Sequence, residues 1–246
     1  MSQTREAVDE RPARARDWRT EAAAAARVWA AVLLVGVACG VVVVGVLSRL
    51  VMSLLASTNP GAAGVRSDDG FIMGQVTLAG SAQLVGSGAQ LGAVAAFLYV
   101  ALQGLMIGPA WFRLVSISVG PGVVVGSILV HTTGVDFTIL GPLWLTVGSF
   151  VLLPVLFCAA LHLLAERALA RGGVRAKPQL VLGLLLAVAV FPLTVVLGLG
   201  WWMCQWVPTD QVGLRRLGAW AIRVVLAVVF VLAVLDLVSD VTTLAE

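Results

Sequence analysis

From Val28 to Leu47 the chain runs twenty residues without a polar side chain, and five further apolar stretches follow. A hydrocarbon core about 30 Å thick takes roughly twenty residues of apolar helix, and a helix in lipid satisfies its own backbone N–H and C=O groups. The pattern predicts an all-α fold, a polytopic transmembrane helical bundle of about six spans. These lie near Arg27–Leu55, Gln83–Gly108, Trp111–His131, Gly141–Glu166, Gln179–Met203 and Gly218–Asp240. Residues 1–26 read as a charged cytoplasmic tail, disordered or a loose surface helix around Thr20 to Arg27, and residues 27–246 as one transmembrane domain. A cleaved secretory signal has a shorter polar region and a shorter apolar one, so the first span is expected to be retained.

Composition agrees. Sixty per cent of residues are hydrophobic, 12% are charged and the mean hydropathy is +1.01, which a water-soluble domain would carry only by exposing large apolar patches. The net charge of +3 does not point to nucleic acid, because the basic residues are spread as topology determinants. With the tail inside, the cytoplasmic set is Arg5, Arg11, Arg14, Arg16, Arg19 and Arg27, then Arg113, then Arg167, Arg171, Arg175 and Lys177, eleven of the sixteen Lys and Arg. Arg49, Arg66, Arg215, Arg216 and Arg223 fall on or toward the other side. The expectation is a bacterial cytoplasmic membrane protein with both termini in the cytoplasm. Trp29 and Trp111 mark the inner interface, and Trp144, Trp201, Trp202, Trp206 and Trp220 the outer one. The stretch from Trp201 to Gly218 is either part of that aromatic belt or a re-entrant segment.

Small residues set the packing expectation. Gly36/Gly40, Gly88/Gly92, Gly104/Gly108 and Gly122/Gly126 have the four-residue spacing that lets helix backbones approach, which predicts close packing of the first three helices. Pro121, between Gly120 and Gly122, should kink or break the third span; such breaks line sites in some transporters, and a packed structural kink is the plainer reading.

Enzyme signatures are missing. Cys39, Cys158 and Cys204 lack the spacing of a zinc site or redox pair, and His131 and His162 bracket the fourth helix at opposite ends, each read as an interfacial or capping residue. No phosphate loop, HExxH or GxSxG appears, and no catalytic, metal or cofactor site is assigned. The candidates are ionisable groups near lipid. Arg49 closes the first apolar run and should reach the outer interface, by snorkelling or by pairing with Asp136 in the loop before the fourth span. Asp236 and Asp240 share one face of the last helix near its inner end, a cation site or an ordinary helix end.

Four segments carry a resemblance: SRLVMSLLASTNP (Ser48–Pro60), DDGFIMGQVTLAG (Asp68–Gly80), VDFTILGP (Val135–Pro142) and LLAER (Leu163–Arg167). Together they resemble a family of uncharacterised multi-pass membrane proteins of high-GC actinobacteria, over about the first two thirds of the chain. The resemblance marks Arg49, Met52, Thr77, Gly80, Asp136, Phe137 and Pro142, all on the outer half, and brings no activity. Three classes follow. The favoured one is an accessory or structural envelope component in contact with lipid and a protein partner in the membrane, using Arg49, Asp136, Phe137 and Thr77. The others are a small-molecule or ion transporter or channel using Pro121, Gln90, Gln103, Asp236 and Asp240, and a membrane-embedded enzyme.

Overall fold

A computed structural model describes residues 18–68, 70–174, 177–189 and 212–246. Among these the chain is helical, with α1 (Trp18–Cys39), a π-helical segment (Gly40–Leu47), α2 (Ser48–Thr58), a 3-10 turn (Pro60–Ala62), α3 (Leu78–Gln103), α4 (Ala110–Leu129), α5 (Val135–Ile139), α6 (Leu143–Ala170), α7 (Lys177–Ala189) and α8 (Val212–Ala245). No β-strand is present among the described residues, only an antiparallel bridge between Arg66 and Ile72. Five helical stretches are long and apolar enough to cross a membrane: Ala23–Thr58, Leu78–Gln103, Ala110–Leu129, Leu143–Ala170 and Arg216–Ala245. A transmembrane helical bundle is therefore the architecture. Residues 18–26, at the end of the expected tail, are helical and continuous with the first span. Residues 1–17 lie outside the described residues, as does 190–211, which holds most of the expected fifth span with Trp201, Trp202, Cys204 and Trp206. The C-terminal part of the proposed re-entrant stretch is ordinary helix from Val212 onward.

Helix ends follow from local chemistry. Pro60 stops α2, because proline cannot continue the helical hydrogen bonding. Thr77 accepts a hydrogen bond from Gly80 N at 3.1 Å and caps α3. Gly108 turns at φ +88° ahead of Pro109, and Gly172 and Gly173 close α6 at φ +76° and +78°.

The first span is the centre of the bundle, with α3, α6 and α7 around it; α4 packs on α6, and α8 on α4. Gly36 and Gly40 interlock with Gly88 and Gly92 of α3 so closely that a Cβ on Gly88 would stand 2.5 Å from Gly40 O and 3.0 Å from Gly45 N. The other two glycine pairs behave differently. Gly122 and Gly126 seat Val155 and Val151 of α6, so the third span packs on the fourth and not on the first two. Gly104 and Gly108 belong to the α3–α4 turn. The helix is irregular in a place the pattern did not predict. α4 runs unbroken through Pro121, whereas Gly40–Leu47 in the first span is an eight-residue π-helix, in which Ser48 N bonds back to Val43 O. The expected break at Gly-Pro-Gly is absent because the only donor that Pro121 lacks is its own N–H, and the remaining ladder carries the helix past it.

The last helix corrects a second expectation. Arg223 was placed at the outer end with Trp220, yet its Nε donates to Leu105 O in the α3–α4 turn at 2.9 Å, and its guanidinium stands over Trp220 at 5.2 Å. The covered positions of α8, among them Ala219, Arg223, Phe230, Ala233, Leu237 and Leu244, recur along one face at helical spacing. α8 thus meets the α3–α4 turn at Arg223 and from there runs along the bundle; Leu244 is about 32 Å beyond Arg223, at 1.5 Å per residue. Asp236 and Asp240, expected near the same end as that turn, lie about 20 and 26 Å from Arg223 toward the opposite end.

Candidate functional site

One end of the bundle carries the α3–α4 turn; at the other, residues 59–77 fold over the helix tips. The second, roofed end is built by three side chains that bind backbone. Asn59 donates from Nδ2 to Gly141 O at 2.7 Å and accepts from Gly141 N at 2.8 Å, joining the end of α2 to the start of α6. Asp68 accepts from Val135 N at 3.1 Å and from Asp136 N at 3.3 Å, so a loop carboxylate caps α5. Thr77 closes the loop at α3. Within the loop, Gly64 N bonds Met73 O, Met73 N bonds Val65 O and Ser67 N bonds Phe71 O, a short hairpin-like fold. Leu55, Ala62, Met73 and Leu140 form a small apolar core beneath it.

Two adjoining cavities lie around Arg49. One, about 360 Å³, is mostly apolar, walled by Met52, Leu55, Met73, Phe150 and Leu153 with Arg49 and Asp136. The other, about 370 Å³, is polar, walled by Arg49, Arg66, Gln75, Thr77 and Gln83. Phe71, Ile72 and Gln75 line both. The Arg49 side chain donates to Gln75 O at 3.2 Å, its Cζ stands 5.8 Å from the centre of the Phe71 ring, and its buried Nε makes no hydrogen bond.

The structure therefore brings Arg49, Met52, Thr77, Gly80 and Asp136 to one place. Arg49 and Asp136 share the walls of the apolar cavity, and the hydrogen bond that the Arg49 side chain makes is to the loop backbone. Phe137 is an anchor: it is buried beside Phe150, with ring centres 5.0 Å apart, and beside His131. Asp236, Asp240 and Pro121 take no part in either cavity. No protein family, curated protein or solved structure matches the chain.

The turn end has a polar cluster of another kind. Tyr99 Oη and His162 Nδ1 are 3.1 Å apart, His162 Nε2 lies 3.7 Å from Glu166 Oε1, and Arg113 reaches the same oxygen at 3.8 Å. His162 is 2% exposed, so it is a core residue joining α3 to α6 and not the interfacial or capping histidine expected of its position.

Sequence reasoning missed Asp68, Asn59 and Arg66, although the first two stand in the motifs it singled out. An Asn-Pro and an Asp-Asp-Gly between apolar runs signal turns. Their partners lie 67 to 82 residues away and leave no local signal.

Proposed function

We propose that this chain is a multi-pass protein of a bacterial cytoplasmic membrane, related to the actinobacterial proteins its motifs resemble, and that it serves as an accessory component of the envelope through its roofed end. The observation that carries this reading is the pre-built loop: Asp68, Asn59 and Thr77 fix residues 59–77 over two cavities, an investment in surface shape with no accompanying catalytic cluster among the described residues. The transporter reading rested on a break at Pro121, and the continuity of α4 takes that support away.

The direction of α8 supports an orientation unlike the one the basic residues first suggested. If the turn end is cytoplasmic, Arg215, Arg216 and Arg223 join the eleven inner basic residues, giving fourteen of sixteen. The former dissenters then obey the rule. The N-terminus is inside, Glu246 is outside, and the five long apolar helical stretches among the described residues cross. Lys177 follows the inner end of α6, so the chain between α6 and α8 begins and ends on one side. An alkaline phosphatase fusion after Glu246 is expected to be active and a green fluorescent protein fusion dark; the reverse result returns both termini to the cytoplasm.

The functional reading is tested by purification from the native membrane in mild detergent. A stoichiometric envelope partner retained by the native chain and lost when residues 61–74 are replaced by a flexible linker supports it. A partner that ignores the loop removes it.

A further inference from the structure

Arg49 and Arg66 are the only two basic residues of the sixteen that the proposed orientation leaves at the roofed end, and both line the same polar cavity. A membrane protein that keeps positive charge off its outer face has placed what remains around one void. No carboxylate lines that cavity among the described residues; its other polar walls are Gln75, Thr77 and Gln83. Asp136 stands on the neighbouring, apolar cavity, whose walls it shares with Arg49, and the Asp68 carboxylate is turned to the backbone of Val135 and Asp136, while Arg66 Nε donates to Gly70 O at 3.1 Å. Arg49 belongs to both walls and keeps a buried Nε without a hydrogen bond, a donor that is costly to bury unmatched.

The second observation concerns the rim. Val76 and Leu78, which flank Thr77, are 70% and 89% exposed, and Ile72 is also exposed. Apolar side chains left in this position suit the interface of a bilayer. The cavities thus present a cationic, hydrogen-bonding compartment joined through Phe71 and Ile72 to an apolar one lined by Met52, Leu55, Met73 and Leu153, at the depth where lipid headgroups meet acyl chains. Each has the volume of a small-molecule site, about 300–1,000 Å³.

We propose that the roofed end binds an anionic amphiphile, its phosphate or carboxylate head between Arg49 and Arg66 and its alkyl chain in the Met52–Leu153 cavity. This rests on reading the roofed end as the binding end, and gives that end a ligand class. Recognition is by charge and by chain burial together. A free anion lacks the second part and a zwitterionic lipid cancels the first.

The test uses the purified full-length chain in a neutral maltoside detergent, with thermal unfolding and equilibrium binding as readouts. The probes are inorganic phosphate, monoalkyl phosphates of increasing length, alkyl carboxylates, phosphatidylglycerol and phosphatidylcholine. Affinity for alkyl phosphates is expected to rise about fourfold per methylene while the chain is being buried, the factor that follows from about 0.8 kcal/mol per methylene. Inorganic phosphate should bind at least about a hundredfold more weakly than the dodecyl phosphate, and phosphatidylcholine should give no shift. Arg49→Gln and Arg66→Gln should each weaken binding about tenfold or more, as loss of a charged hydrogen-bond donor does. Arg66 is exposed, so its variant keeps the test alive if the Arg49 variant does not fold. A stronger response to phosphatidylglycerol than to monoalkyl phosphate or carboxylate names a membrane lipid as the source, and the opposite order a diffusible amphiphile. An equal response to phosphatidylcholine, or binding unchanged in both arginine variants, overturns the proposal. If no anionic amphiphile binds while the loop-dependent protein partner is still captured, the ligand fails and the accessory reading stands.

Discussion

The two ends of this bundle hold similar polar side chains and use them in opposite ways. At the turn end, Tyr99, His162, Glu166 and Arg113 gather against one another, with Arg113 Nε buried and unbonded, and Arg223 donates to the Leu105 carbonyl, so the helices are drawn together. At the roofed end, Asp68, Asn59 and Thr77 are turned to backbone groups and hold a loop in place, while Arg49 and Arg66 each donate to a loop carbonyl, of Gln75 and Gly70, and also line the walls of a void. Burying a charge is costly wherever it is done. The difference lies in what surrounds the charges: neighbouring side chains and a carbonyl at one end, loop carbonyls and a shaped cavity at the other. A cluster closed on itself describes structure, whereas charges lining a shaped cavity describe a site.

Both ends hang on the glycine contact between the first span and α3, and the largest expected effect comes from removing it. In Gly88→Leu the new Cβ meets only backbone, at 2.5 Å from Gly40 O and 3.0 Å from Gly45 N, and backbone cannot rotate away. The helices must separate, at a cost of about 3 kcal/mol or more. Size-exclusion profile and melting temperature measure it. Gly86→Leu, on the same helix but with nothing within 4 Å of its Cβ, is the control and should behave as the native chain. If the two variants melt alike, the contact does not hold the ends in common.

Next in size is the closed end. His162→Ala empties a fully enclosed site and leaves the Tyr99 hydroxyl without its partner, so a loss of about 2–4 kcal/mol is expected. Tyr99→Phe removes one hydrogen bond and keeps the packing, for about 1 kcal/mol. Amphiphile binding at the far end should be unchanged in both. A fall in binding that parallels the fall in stability would mean that the two ends are not separate.

Legibility in the sequence divides along the same line. The helices were legible because lipid imposes one requirement on every spanning residue, and Val28–Leu47 meets it in plain view. The Gly36/Gly40 and Gly88/Gly92 contact was legible for a similar reason, since close approach demands missing side chains. The roofed end was half legible. Arg49 and Asp136 stood out as charges beside apolar runs, but Asn59, Asp68 and Arg66 looked like ordinary loop residues because their meaning comes from where the loop folds. Direction along the bundle was the least legible. The count of basic residues sets the Arg223 end of α8 opposite the α3–α4 turn, and it takes the Arg223 contact with Leu105 together with the covered face of α8 to bring them to one end.

A smaller effect is expected at the roof. Asp68→Ala removes two hydrogen bonds to α5, from Val135 N and Asp136 N, and releases the loop without disturbing the helices. A loss of about 1–2 kcal/mol confined to the loop fits the usual worth of a helix cap with a charged acceptor. Hydrogen exchange over residues 61–74 and 135–140 should quicken while the global melting temperature moves little. Slower exchange, or a global loss as large as that of His162→Ala, would show that the roof is not the separable part described.

The smallest effect belongs to Pro121, midway along the α4 rod that joins the two ends. Eight residues separate it from Arg113 and nine from Val130, about 12 and 14 Å of helix. Because α4 is already continuous there, Pro121→Ala gives back one backbone N–H toward the Ile117 carbonyl and removes a half-buried ring. The two changes oppose each other. Proline is about 3 kcal/mol worse than alanine inside an isolated helix, yet neighbouring helices have absorbed most of that penalty in the native bundle. The net change should stay within about 1 kcal/mol, with neither amphiphile binding nor the Tyr99–His162 end altered. Should binding at the roofed end collapse while the protein stays folded, Pro121 would be setting the angle at which α4 leads to Asp136 and the cavity, and the two ends would be coupled through α4.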